Sequence, residues 1–272
     1  MRPARLEVFY GPKNIFPDHT VMSVDVVWLI IAGALAGGFV NGLAGFGTGL
    51  FALGWWLAAL PPLDAVITVV IMSLVGGLQG LYAVRKAVDL PQLARFILPA
   101  LVGLGVGYAF LDTINATILK FLVAFMLILY GGYFTFSRKL PTLHKRYPLI
   151  DGWAGFVGGL LGVIGGLSGA VLTMWCSLYD WPKDERRALI QPFNMIVLGS
   201  VFALMAWRGL IDAHIWLIAA VAFPFSVMGT QIGIFVFRRL TDRGFQQLLI
   251  WLILLSGFML AGRELTAKIL TG

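Results

Sequence analysis

The chain has 272 residues, 59% of them hydrophobic and 12% charged, whereas an ordinary soluble domain is about 45–50% apolar and about 25% charged. This composition excludes an ordinary soluble domain and is that of a membrane protein. The net charge of +7 sits in brief loops between apolar runs rather than on a folded soluble face, so it argues for membrane orientation and against nucleic acid as a partner.

Residues 1–23 carry Arg2, Arg5, Glu7, Lys13, Asp18 and His19 without a continuous apolar core, which does not make a secretory signal peptide. From Met22, "MSVDVVWLII" would begin a compact membrane protein directly. Apolar runs follow at 24–60, 63–84, 94–111, 114–136, 152–181, 189–207, 214–237 and 245–262. A helix needs about 20 such residues to cross about 30 Å of hydrocarbon. The runs are apolar on every face, whereas barrel strands would be segments of about 10 residues with alternating polarity. The expected fold class is therefore an all-α polytopic bundle of about eight transmembrane segments. Two runs are too long for one span: 24–60 would make a helix of about 55 Å and 152–181 one of about 45 Å. A helix broken at its glycines and folded back as a hairpin resolves the mismatch. The single Cys176 excludes an intrachain disulfide and any CxxC motif, and reads as a small apolar filler.

The two halves are alike in order. "GFVNGLAG" (Gly38 to Gly45) and "GFVGGLLG" (Gly155 to Gly162) agree at six of eight positions, 117 residues apart. Trp55 and Trp175, Pro62 and Pro182, and Asp64 and Asp184 follow, each pair 120 apart. Pro99, Gly103 and Gly107 resemble Pro224, Gly229 and Gly233, and each half closes on a plain apolar span containing Gly131 and Gly132 or Gly257. The series divides the chain into an N-terminal segment (1–23), repeat 1 (24–136), a basic linker (137–151), repeat 2 (152–265) and a tail (266–272). Internal repeats of this kind recur in secondary transporters.

Charge supports the hairpin in the second half. With it, the loops at 85–95, 138–146, 183–187 and 238–243 share one face, bearing Arg85, Lys86, Arg95, Arg138, Lys139, Lys145, Arg146, Lys183, Arg186, Arg187, Arg238, Arg239 and Arg243. The other face keeps only Lys120, Arg208, Arg263 and Lys268. The basic loops are then expected in the cytoplasm, and the three remaining crossings are the odd number that an inverted repeat requires.

From about residue 24 nearly the whole chain resembles the TauE/SafE sulfite exporter family, also called the 4-toluene sulfonate uptake permeases. The resemblance rests on "GFVNGLAGFGTG" running to Pro61, on "GFVGGLLGVIGGLSG" running to Pro182, and on the closing "PFSVMGTQIGIFVFRRLTDRGFQQLLIWLILLSGFML". It implies a multi-pass permease of the bacterial inner membrane that moves small sulfur-containing anions such as sulfite, sulfonates or sulfoacetate. The first glycine segment departs from the family, being interrupted by Phe46 and Thr48, so the identity of the substrate does not carry over.

Glycine breaks at 42–49 and 162–169 would leave backbone amides and positive half-helix ends uncovered, and these attract anions. The competing reading is close helix packing by small residues. Polar side chains inside both segments favour a site: Asn41 and Thr48 in the first, Ser168 and Thr173 in the second. The candidate substrate-binding residues are Asn41, Gly42, Gly45, Gly47, Thr48, Gly162, Gly165, Gly166 and Ser168, with Gln191 and Asn194 of "QPFN". In that motif Pro192 should kink the helix, and Gln191 or Asn194 would either satisfy the freed carbonyls or line the path. Gln79, Thr230 and Gln231 read as bonds between helices, Lys120 as a snorkelling side chain, Arg208 and Asp212 as a loop pair, and His214 as an interfacial residue.

The sequence has no H-E-x-x-H, no clustered metal ligands and no nucleophile beside a histidine, and "GFGTGL" lacks the strand a dinucleotide site needs. Neither an enzyme nor a cofactor is expected, and the drive would be protons or membrane potential. The function read from the sequence is a secondary transporter working by alternating access, with a small anion and the lipid bilayer as partners. Two alternatives stand beside it: a permease for an unrelated small metabolite, and a non-transporting receptor or assembly subunit whose glycine faces serve helix association, including a homo-oligomer.

Overall fold

The computed structural model describes residues 24–109 and 147–271, with isolated positions between 121 and 143. The segment 1–23, Lys120 and the linker cations Arg138, Lys139, Lys145 and Arg146 lie outside the described residues. The helices are α1 (Val24–Ala44), α2 (Thr48–Trp56), α3 (Pro62–Val84) with a 3-10 turn at Arg85–Ala87, α4 (Leu90–Ala109), α5 (Pro148–Gly165), α6 (Ser168–Cys176), α7 (Lys183–Trp207), α8 (Ala213–Arg239) and α9 (Asp242–Thr271). Among the described residues there is no strand, only an isolated bridge between Leu143 and Tyr179. Five helices there are long and apolar enough to cross a membrane: Val24–Ala44, Leu63–Ala87, Leu90–Ala109, Lys183–Trp207 and Ala213–Arg239. Pro148–Val163 is a shorter apolar helix. The predicted span 114–136 is described only at isolated positions, which are helical.

Both overlong runs break where glycine permits a left-handed backbone, at Gly45 (φ 83°) and Gly47 (φ 96°) in the first and at Gly166 (φ 67°) in the second. The chain then turns back on itself. Trp56 Nε1 donates to the Ile30 carbonyl at 3.0 Å, and a Cβ on Gly37 would lie 2.9 Å from that of Ala52, so α2 runs antiparallel along α1. In the second hairpin Trp175 Nε1 donates to Asp151 Oδ1 at 2.7 Å, and a Cβ on Gly158 would lie 2.9 Å from the Ser168 carbonyl. With nine residues each, α2 and α6 rise about 14 Å, roughly half the hydrocarbon thickness. Neither is long enough for a span by itself.

Each hairpin's long helix packs on a proline-containing helix of the other half of the chain. On α8, Gly229 and Gly233 receive the Leu35 and Phe39 carbonyls of α1, while Gly38 and Gly42 receive those of Ser226 and Thr230. On α4, Gly103 and Gly107 receive Phe156 and Leu160 of α5, while Gly155 and Gly159 receive Phe96 and Ala100. Close approach at small residues is how helices associate where lipid removes the hydrophobic drive. The contacts exchange in pairs: Leu35 with Gly229 answers Phe156 with Gly103, and Gly38 with Ser226 answers Gly159 with Ala100. Those pairs relate α1 to α5 by 121 residues (156 − 35 and 159 − 38) and α4 to α8 by 126 (229 − 103 and 226 − 100). The same step of 126 links Gly131 against Leu254 to Gly257 against Ile128.

This register differs from the one the octapeptides suggest. Gly38 answers Gly159, and Gly45 answers Gly166, so the match 117 residues apart is displaced by one helical turn. The cause is the spacing of small residues about every four positions in both segments, which lets a one-turn slip keep most glycines aligned.

The start of α7 is fastened to the corner between α8 and α9. Lys183 Nζ donates to the carbonyls of Phe237 (3.0 Å), Arg238 (3.3 Å) and Leu240, satisfying groups that a helix C-terminus leaves unpaired. Its backbone N–H donates to Asp242 Oδ1 at 3.0 Å. Lys183→Met should cost about 1–2 kcal/mol, read as a lower thermal midpoint in detergent. An unchanged midpoint would show that the lysine holds nothing.

Candidate functional site

The helix α7 runs past both breaks, and its "QPFN" motif touches each. At the first break, Gln191 Oε1 lies 2.9 Å from where a Cβ on Gly45 would begin. One turn earlier, Arg187 Cγ stands 3.5 Å from the same point. Both side chains cross α3 at its glycines: Gln191 lies against Gly77 and Gly80, and Arg187 Nη2 would be 3.0 Å from a Cβ on Gly80. Larger residues there would fill the space these two side chains occupy.

At the second break, Ser168 Oγ donates to Asn194 Oδ1, and a Cβ on Gly162 would meet Val197 and Ser168. Gly166 faces Val69 of α3, 3.6 Å from its would-be Cβ, and Gly165 ends α5. Phe46 of the first break lies on Gly169 of α6, so the hairpin tips touch. They meet α7 in succession, at Gln191 and Asn194, three residues apart and about 4.5 Å along its axis.

The remaining candidates are placed as follows. Asn41 Nδ2 donates to the Ser73 carbonyl at 3.1 Å, in a space left by Gly76, whose Cβ would lie 2.8 Å from that nitrogen and 2.9 Å from Thr230 Oγ1. Thr230 donates to the Gly38 carbonyl at 3.3 Å. Gly42 lies in the crossing with α8 and Gly47 against Val40. Thr48 opens α2 fully buried, its hydroxyl without a hydrogen-bond partner. Thr173 bonds its own helix at the Gly169 carbonyl (2.6 Å), and Gln231 donates to Gln79 at 2.6 Å across helices. Asp212 caps α8 by accepting from the Ile215 N–H at 3.0 Å. Cys176 is wholly buried.

Two features depart from the sequence reading. Gln191 does not satisfy a carbonyl freed by Pro192: both of its polar atoms are buried without a hydrogen-bond partner. Asn194 is engaged by Ser168 instead. The stretch 183–187, read as a basic loop, is the first turns of α7, and Arg186 and Arg187 are at most 1% exposed. Arg186 Nη2 donates to the Tyr179 carbonyl at 2.8 Å. Arg187 has no hydrogen-bond partner on any guanidinium nitrogen and rests on the Phe237 ring, 4.3 Å from its centroid. The hydropathy boundary at 189 hid it, although its place one turn before Gln191 puts the two on one helix face.

The arrangement is two glycine breaks served by one helix that carries a cation, an amide and a serine-bonded asparagine, all buried. In an apolar surround such groups are costly to desolvate and bind polar solutes strongly when matched. No solved structure matches the chain. It is similar to a probable membrane transporter protein of Haemophilus influenzae, 22% identical over 222 residues that cover 78% of this chain and 85% of the relative. A model of the sulfite exporter TauE/SafE family matches residues 29–260, from the second turn of α1 into α9, and the chain belongs to that family of membrane transporters.

Proposed function

We propose that the protein carries small sulfur-containing anions, of the sulfite or sulfonate kind, across a bacterial inner membrane by alternating access between two inverted halves. The observation that supports this most is the pair of re-entrant glycine breaks meeting buried polar side chains of α7, since irregular backbone at membrane depth is tolerated where it lines a path or a site. The exchanged contacts of α1 with α8 and α5 with α4 support the twofold relation. Each hairpin is held by a helix of the opposite half, so rocking one half must move the other's break. The basic loops at 85–95 and 238–243 would face the cytoplasm.

The test is uptake into proteoliposomes of labelled sulfite, thiosulfate, a simple sulfonate and acetate, under an imposed pH gradient and then an electrical potential. Saturable movement of a sulfur anion is expected, and the gradient that drives it names the coupling. Folded protein that moves only acetate would replace the substrate class, and folded protein that moves none of them would overturn the reading.

A further inference from the structure

We infer that Arg187 and Gln191 form the oxyanion-recognition site of this protein, the guanidinium supplying the charge and the carboxamide a neutral donor. The inference rests on the transport reading for its biological meaning, but its chemistry stands on the side chains themselves. Arg187 and Gln191 are each 0% exposed, and all five of their polar side-chain atoms lack a hydrogen-bond partner. A buried guanidinium is costly unless an anion or a set of acceptors compensates it. Here no guanidinium nitrogen has a hydrogen-bond partner, and the cation rests on the Phe237 face.

The surrounding charges sharpen the point. The charged groups acting on Arg187 are Asp184, exposed and nearly one turn toward the helix start, and Arg238, a second cation on α8. Neither supplies a buried counter-charge. Gly45, just past α1, and Gly80 of α3 lie against both side chains, and Gly77 lies against Gln191, so the cation and the amide rest on bare backbone.

The ligand class follows from the donors. A guanidinium presents a planar fork that pairs two oxygens of one group, and a carboxamide adds a third hydrogen bond without adding charge. One fixed cation neutralises one negative charge, so the match is a small monoanion with at least two oxygens on one atom, sulfonate or carboxylate. At the equivalent level of the first half, 121 residues earlier by the N-caps Pro61 and Pro182, α3 carries Val66 and Val70. The recognition site is therefore single rather than duplicated.

The experiment is binding, not transport. Purified full-length protein in detergent is titrated with methanesulfonate, bisulfite or acetate, with dimethyl sulfone as the uncharged isostere, and the thermal midpoint is followed. Saturable stabilisation by at least one of the anions and none by the sulfone is expected. Arg187→Gln should weaken the apparent Kd roughly 10- to 100-fold, Arg187→Lys should fall between, and Gln191→Leu should weaken it several-fold while keeping the charge. The Gln191 variant keeps the test valid if the Arg187 variants do not fold. Anion affinity unchanged in folded Arg187→Gln, or unchanged in Gln191→Leu, would overturn the site. Arg187-dependent binding in a protein that transports nothing would leave this site standing and remove the transport reading; transport with unaltered KM in Arg187→Gln would do the reverse.

Discussion

Gly159→Val is expected to destabilise the folded protein by about 3 kcal/mol or more, while Gly105→Ala, on the helix it faces, should be neutral or stabilising by about 0.5–1 kcal/mol. A Cβ on Gly159 would be driven into the Ala100 backbone carbonyl, and backbone does not yield as a side chain does. At Gly105 nothing lies within 4 Å, so the methyl gains helix propensity at no steric cost. Gly103, two residues away on α4, meets the Phe156 carbonyl, and Gly103→Ala should behave as Gly159→Val does. Because the crossings exchange in pairs, Gly38→Val, against the Ser226 carbonyl, should match Gly159→Val in size. Thermal melting in detergent and the folded yield after extraction measure all four. Similar midpoints for Gly103→Ala and Gly105→Ala would show that the crossing is not tight and would dissolve the paired register.

That register marks the boundary of what the sequence makes legible. The overlong runs 24–60 and 152–181 announced the two breaks, because length against bilayer thickness is a hard constraint. The fold-back of the second followed from charge, that of the first only from its length, and the two are carried by Trp175 on Asp151 and Trp56 on Ile30. Alignment of the halves was not legible, because helix faces rich in glycine look alike one turn apart. Only the partner across the crossing fixes which turn is meant. Arg187 was hidden by a different cause. Hydropathy ends a span where charge begins, so a cation drawn inward beside a glycine-lined wall is assigned to the loop. Asn194 and Ser168 were both singled out as candidates, but their mutual bond is a tertiary fact that no spacing in the sequence encodes.

Gly45→Ala and Gly166→Ala should lower stability alike yet differ in their effect on substrate affinity. Both glycines hold a left-handed backbone, φ 83° and 67°, which costs an L residue about 1–2 kcal/mol. A methyl at Gly166 would meet only Val69, at 3.6 Å, an ordinary contact. A methyl at Gly45 would start 2.9 Å from Gln191 Oε1, so the amide must move and the Arg187 face is disturbed with it. Uptake measured across substrate concentrations should then show a raised KM for Gly45→Ala and a KM near wild type for Gly166→Ala, with equal falls in thermal midpoint. The equal falls matter because they separate strain from recognition: both variants share the first, and only one carries the second. Should KM rise instead for Gly166→Ala alone, the anion would be bound at the Ser168–Asn194 level, and the buried charge of Arg187 would act on the path rather than on the site.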